Sequence, residues 1–358
     1  MQKDSALNYF AAATTPGGFV SYFNDLYDPI KNVKVYILKG GPGTGKSTLM
    51  KKIAKQLNDM GEKYELYYCS SDPDSLDGIK ILKNGCVILD GTAPHTLDPL
   101  YPGACEVIVN LGECFDAEKL YKNRSNIIAL ADKNKECHRK VRRYINAAGN
   151  LLEDSLSVGL ISSNLSRAND FAKGFAKRFP SSRINAPREL HAFLSAVTPK
   201  GIISFEDTLR SLAQDIYIID DRLGAISGII LSKIKTEMLN KGYEVRSFMS
   251  PIISGKSDHI VIPELCLAIS TKTAYFSAAS SHRIISSKRF KGEDMTPYKT
   301  RLAFNKKVSE RLTENASELM KKANDIHREL EKFYIDAMDY KKLDKITNLL
   351  SNKILIDL

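Results

Sequence analysis

Residues 40–47 read GGPGTGKS. Glycines at 40, 41, 43 and 45 let the backbone curl so that successive amide N–H groups point inward on an anion. Lys46 adds a full positive charge suited to β- and γ-phosphates, and the Ser47 hydroxyl is placed to ligand Mg²⁺. The spacing GxxxxGK[ST] gains its weight from its flanks. VKVYIL (33–38) is a β-branched run, and STLMKKIAKQL (47–57) has helical spacing at Leu49, Ile53 and Leu57. A helix starting at the loop aims more amides at the anion. The expected phosphate contacts are Gly40, Gly41, Pro42, Gly43, Thr44, Gly45, Lys46, Ser47 and Thr48. An incidental Gly-rich turn would lack the strand before it and the helix after it.

On these residues the chain resembles the P-loop NTPase superfamily, with GGPGTGKST as a Walker A motif. Its layout also resembles a family of poorly characterised bacterial proteins with two tandem P-loop ATPase units. The stretches SSDPDSLDG (70–78) and DGTAPHTLDPLYPG (90–103) contribute to that similarity. The resemblance implies ATP binding and two α/β units. An apolar strand ending in an acid is then expected one strand from the loop, and CVILDG (86–91) fits. Asp90 would hold Mg²⁺ together with Ser47.

Many ATPases carry a Glu directly after that Asp to polarise the attacking water; this chain has Gly91. The candidates for the missing carboxylate are Asp72 and Asp74, at the carboxyl end of the strand YELYYC (64–69). An Asp-Pro-Asp sequence also builds turns through its own side chains, so both readings stand. His95, just past the Asp90 strand, is placed as a γ-phosphate sensor or as a structural histidine. No NKxD occurs, so adenine nucleotides are preferred over guanine.

The elements that must position these residues occur twice. TPGGFVSYFNDL (15–26) aligns with TPKGIISFEDTL (198–209), VYILKGGPGTGKSTLMKKI (35–53) with IYIIDDRLGAISGIILSKI (216–234), and DGIKILKNGCVILDGTAPH (77–95) with DHIVIPELCLAISTKTAYF (258–276). HRKVRRYINAAGNLLED (138–154) resembles HRELEKFYIDAMDYKKLD (327–344) in rhythm. Two units are expected, at 1–185 and 186–358, each a mostly parallel sheet with a helical arm. In the second copy Lys46 is replaced by Ser227, Ser47 by Gly228 and Asp90 by Thr271, so that copy is degenerate. Asp72, Asp74 and His95 are lost with them, as Ile253, Gly255 and Phe276. Asp77 persists as Asp258 and Thr92 as Thr273, which assigns both to the fold. In the C-terminal arm Leu312, Leu319, Ile326 and Phe333 recur every seven residues with alanines between them. Its partner is either the first unit's arm, in a monomer, or a second copy in a homodimer.

The chain has 358 residues, 52 Lys+Arg and 42 Asp+Glu. Residues 119–200 hold 16 basic and 6 acidic side chains, and the remainder balances. That stretch is a solvated face, a source of an arginine over the phosphates (Arg124, Arg139, Arg142 or Arg143), or a surface for nucleic acid or an acidic partner. Aromatics are sparse within it, which disfavours a stacking platform for single strands. No secretory leader, membrane span, CxxC pair or His/Cys cluster is evident, so a cytoplasmic protein with reduced thiols is expected. The sequence therefore predicts a Mg²⁺-dependent ATPase with one live site. The alternatives are a phosphotransferase acting on a small molecule and a nucleotide-dependent switch or nucleic-acid binder.

Overall fold

A computed structural model describes residues 6–31, 34–93, 96–276 and 283–356. In chain order the first repeat contains β1 (Ala6–Tyr9), β2 (Ala12–Thr15), β3 (Gly18–Ser21), β4 (Val35–Lys39), α1 (Lys46–Asp59), β5 (Tyr64–Tyr68), β6 (Leu76–Ile81), β7 (Val87–Asp90), β8 (Glu106–Asn110), α2 (Ala117–Lys122), α3 (Arg124–Ile161) and α4 (Leu165–Ala176). The second contains β9 (Arg188–Ala192), β10 (Ser195–Thr198), β11 (Gly201–Ser204), α5 (Glu206–Leu212), β12 (Asp215–Asp220), α6 (Ala225–Asn240), β13 (Glu244–Met249), β14 (Ser257–Ile262), β15 (Leu267–Thr271), β16 (Arg283–Ser286), α7 (Lys299–Asp336) and α8 (Tyr340–Ile356).

Each repeat builds a six-stranded sheet, in the orders β1-β5-β6-β7-β4-β8 and β9-β13-β14-β15-β12-β16. The two orders are the same order. β4, whose residues Val35 to Leu38 are at most 2% exposed, is a central strand apolar on both faces. The expected mostly parallel sheet is corrected in one respect: β6 runs antiparallel to both β5 and β7, as β14 does to β13 and β15. The polar SSDPDSLDG stretch reads as a loop, yet its last three residues enter the sheet as the start of β6. Finer details repeat as well. The register slips between Tyr67 and Tyr68 and again between Phe248 and Met249. Thr15 Oγ1 donates to Gly18 O, and Thr198 Oγ1 to Gly201 O, across turns whose glycines both have positive φ.

The compact units are drawn differently from the boundaries at 185 and 186. One comprises residues 1–12, 21–141 and 317–358; the other comprises 13–20 and 142–316. The helical arms are exchanged. In the first unit α8 puts Leu350 and Ile354 into the core with Leu49, Ile53 and Leu57 of α1. In the second, α4 puts Ala168, Ala172 and Phe175 into the core with Ile230, Ile234 and Met238 of α6. Equivalent hydrogen bonds anchor each arm: Asp339 N to Cys114 O, and Asn164 N to Phe290 O, both 2.8 Å.

α3 and α7 are both 38 residues long. Each is followed by a helix whose cap side chain, Asn164 or Asp339, accepts from the third helical amide. The helices therefore align end to end, and the match of 138–154 with 327–344 is set aside. The former lies wholly inside α3, whereas the latter runs past the end of α7 into α8. Along α7 the buried stripe is Ser309, Ala316, Ala323 and Leu330, flanked by half-buried Leu312, Leu319, Ile326 and Phe333. Small residues at the centre of the seam let a neighbouring helix approach closely. At one end that neighbour is α3, where Arg301 and Asn305 bond Asp154.

Because Ile354 is 1% exposed against α1 and Ile356 is 82% exposed, their truncations should differ. Ile354→Ala is expected to cost about 2–5 kcal/mol in denaturant unfolding and Ile356→Ala under about 0.5 kcal/mol. Equal costs would remove α8 from the first unit's core.

Candidate functional site

The loop from Gly40 to Gly45 joins central strand β4 to α1. Its curl needs glycine at two positions: Gly43 and Gly45 have φ of 69° and 77°, where a side chain is strained. Gly45 is the N-cap of α1 and contributes no side-chain cap. Thr44 is 1% exposed and Lys46 9%. The Lys46 ammonium folds onto the loop, donating to Gly40 O (3.0 Å), Gly41 O (2.9 Å) and Thr44 Oγ1 (3.2 Å). It also stands 3.6 Å from Asp90 Oδ2.

Asp90 arrives there because β7 lies directly beside β4 in parallel register, with Leu38 opposite Asp90. Its other oxygen, Oδ1, accepts from both the amide and the hydroxyl of Thr92. Thr92 thus fixes the acid, a role its assignment to the fold did not include. Ser47, one residue into α1, accepts from Leu76 N at 3.0 Å and so ties the helix start to β6. Pro42 completes the loop and Thr48 is exposed on the first turn of α1.

Asp77 is a residue whose place the sequence reading missed. It is 5% exposed, and it faces Asp90 one step beyond the Gly78–Leu89 pair of the β6–β7 ladder. Burial pushes the Lys46 ammonium below its ordinary value, against the opposing pull of Asp90, Glu331 and Asp77. Burial likewise pushes the Asp90 carboxyl up, against Lys46 and Thr92. Desolvation wins for both members of the pair. The only sequence sign of Asp77 was its persistence as Asp258, which fits a structural role equally well.

The other expected residues lie as follows. Asp72 accepts from the Ser75 hydroxyl, and its backbone oxygen accepts from Ser75 N, so it closes the Asp-Pro-Asp turn. Asp74 is exposed on that turn, and its carbonyl accepts from Lys51. His95 lies outside the described residues. Arg124 lies over the Tyr121 ring at 4.6 Å and Arg139 pairs with Glu136, while Arg142 and Arg143 are exposed on α3. Gly91 admits no side chain, since a Cβ there would sit 2.3 Å from Ile37 Cγ2.

A roof lies over the loop. A Cβ on Gly41 would meet Tyr334 Cε1 at 2.7 Å, and one on Gly43 would meet Ile335 Cγ1 at 2.9 Å and Glu331 O at 3.3 Å. These residues belong to the last turns of α7, in the same compact unit. Tyr334 also packs on Phe115, with ring centroids 5.3 Å apart.

The second unit has the same frame with different contents. α6 begins two residues earlier than its counterpart, so Ala225 and Ile226 are helical where Thr44 and Gly45 are loop. Asp221 Oδ2 accepts from Ser227 N at 2.8 Å, so the chain's own carboxylate takes the amide equivalent to that of Lys46. Lys256 passes its Cε 3.1 Å from the Cβ position of Gly224 and pairs with Asp258 at 2.5 Å. Burial pushes the neighbouring His259 down to about 4.

A model of the family described as "Nephrocystin 3, N-terminal" matches residues 21–95, the stretch that carries the loop, Asp77 and Asp90. No curated protein and no solved structure matches the chain.

The raised Asp90 carboxyl has a consequence for stability. A group that binds its proton more tightly when folded contributes stability at low pH, and loses it as pH rises through the folded value. Asp90→Asn cannot ionise. Relative to wild type, it is expected to gain stability progressively as pH rises from the ordinary carboxyl value of 3.8. The gain should level off above the folded value, whatever constant offset the change imposes. Unfolding free energies of both proteins across that range test the sign; a difference independent of pH would refute it.

Proposed function

We propose that the first unit binds ATP with Mg²⁺ and hydrolyses it, while the second serves as a closed structural copy. The observation that carries this reading is the Lys46–Asp90 pair, 3.6 Å apart and mostly buried at the Gly-rich start of α1. An ammonium released from the carbonyls of Gly40 and Gly41 onto phosphate oxygens would exchange weak acceptors for charged ones. The loop amides and the N-terminus of α1 would add to that hold. The second unit supports the reading by contrast, because there Asp221 supplies the anion from within.

Mg²⁺ fits the donors present. Ser47 Oγ and the Asp90 carboxylate are hard oxygen ligands, both tied in place by neighbours. Among the described residues no three His, Cys, Asp or Glu side chains gather as a metal site. A few protein oxygens completed by phosphates and water is the coordination Mg²⁺ favours. The chemistry it supplies when bound is neutralisation of charge on the β- and γ-phosphates. Lys46 would hold the γ-phosphate, and Asp90, clamped by Thr92, would orient the metal side.

Gly91 favours a second reading, transfer of the γ-phosphate to a small acceptor, because it leaves β7 without a water-polarising acid. Incubation with Mg·ATP, with and without a metabolite pool or nucleic acid, separates the two. Wild type is expected to release phosphate without an acceptor, and Lys46→Ala to lose about 10²-fold or more. Phosphate appearing only on an acceptor would favour the transferase. Absence of ATP binding by wild type would refute both.

A further inference from the structure

We propose that Glu331, on the arm of the second repeat, is the carboxylate that takes the proton of the attacking water above the Gly40–Ser47 loop, with His327 positioning it. The proposal rests on the hydrolytic reading above and supplies the residue which that reading lacks.

The acid cannot come from the end of β7. Gly91 is packed against Ile37 too closely for any side chain, and its Cβ would also meet Leu97 O at 3.4 Å. The α7 turn, by contrast, lies directly on the loop through Tyr334, Ile335 and the Glu331 carbonyl. This turn is pinned. Asp116 N donates to Ala337 O at 2.7 Å, Asp339 N to Cys114 O at 2.8 Å, and Lys342 Nζ to Glu113 O at 2.8 Å. Leu343, entering α8, lies 3.5 Å from the Cβ position of Gly45. A side chain on so fixed a turn keeps its place relative to the phosphates.

Three carboxylates act on Lys46, namely Asp90, Glu331 and Asp77. Asp90 is clamped by Thr92 and sits where a metal would need it. Asp77 is inside the sheet at 5% exposure. Glu331 is the most open to solvent of the three, with its side chain 32% exposed against 16% for Asp90. His327, one helical turn earlier, places Nε2 3.6 Å from Glu331 Oε1.

The duplication provides an internal control. With α3 and α7 aligned end to end, Tyr334 falls on Gly159, Glu331 on Leu156 and His327 on Leu152. The alignment is borne out by contact. A Cβ on Gly159 would lie 2.8 Å from Ala225 Cβ and 3.2 Å from Leu223 in the second unit's loop. The same turn of each long helix thus lies on each loop. In the turns leading to that contact, the helix over the loop that retains Lys46 carries an acid and a histidine, and the helix over the loop closed by Asp221 carries leucines at both positions.

In the step proposed, the water oxygen bonds to the γ-phosphorus of ATP. The bond from that phosphorus to the bridging oxygen breaks, and its electron pair leaves on ADP. The water proton passes to Glu331 and from there to the released phosphate or solvent. General-base catalysis of this kind contributes about 10²–10⁴-fold.

The test compares full-length wild type with Glu331→Gln, Glu331→Asp, Asp72→Asn and Asp74→Asn. Readouts are steady-state phosphate release with Mg·ATP, binding of the non-hydrolysable β,γ-imido analogue, and the thermal midpoint. Glu331→Gln is expected to lower kcat at least about 100-fold while KM and analogue binding stay within about threefold. Glu331→Asp should retain intermediate turnover, and the Asp72 and Asp74 variants should stay near wild type. Turnover by Glu331→Gln within about threefold of wild type would overturn the inference. So would a parallel loss of analogue binding and midpoint in both Glu331 variants, or loss of turnover in Asp72→Asn or Asp74→Asn alone. Failure of the hydrolytic reading looks different: wild type itself would fail to bind the analogue or to release phosphate dependent on Lys46.

Discussion

A lysine ammonium that is 9% exposed has to be satisfied on every side, and the first unit is arranged around that requirement. Stripping water from a charge costs several kcal/mol, which one ion pair at 3.6 Å does not restore. The loop therefore turns two of its carbonyls and Thr44 Oγ1 onto the ammonium, which its glycines allow. Glycines also leave the outer side of the loop bare, so Tyr334 and Ile335 can close onto Gly41 and Gly43. The arm in turn has to be anchored, which the backbone bonds to Cys114 and Asp116 achieve. Each feature follows from holding one buried charge at the start of α1.

The second unit meets the same geometric demand without a ligand. Winding Ala225 and Ile226 into α6 shortens the loop, and Asp221 then caps the helix from within. A new cation, Lys256, crosses the loop glycines and is neutralised by Asp258. Burial alone would raise the Asp258 carboxyl; Lys256, His259 and the Tyr275 hydroxyl together hold it below its ordinary value. Cation and anion are both supplied by the chain, so the frame is stable with its site closed. In the first unit, desolvation leaves both Lys46 and Asp90 disfavoured in their charged forms. That difference separates a loop whose buried carboxylate is held in its charged form by its own neighbours from one whose buried pair is not.

Much of this frame was legible in the sequence, because strand and loop chemistry is local. The glycine spacing, the apolar strand ending in Asp90 and the substitutions in the second copy all lie within short windows. β6 was not legible: Leu76 to Ile81 follows an Asp-Pro-Asp turn, and its antiparallel entry depends on neighbours on both sides. Asp77 was hidden for the same reason, since only strand pairing brings it opposite Asp90. The arms were misassigned because an amphipathic stripe declares that a helix is buried, not which surface buries it. Glu331 sits on a charged face of α7, where it resembles any solvated residue. Its place beside the loop arises only when α7 returns there, almost 300 positions away in the chain.

The exchange of arms also bears on why a closed copy would be kept. The face of α1 that buries Leu49, Ile53 and Leu57 is completed by Leu350 and Ile354 from the far end of the second repeat. Removing that repeat would expose this core and lift α7 from the loop, so the first sheet is not an independent folding piece. The positive excess is shared in the same way. Between 119 and 200, seven basic and two acidic residues lie up to Val141, and nine and four from Arg142 onward, so each compact unit receives half of the excess. A charge that looked like a property of one half of the sequence is divided between the two compact units. The duplication is thus held by cross-dependence. Each sheet keeps its helical layer only while the other repeat is present, and a site closed by its own Asp221 still contributes the arm that covers the open one.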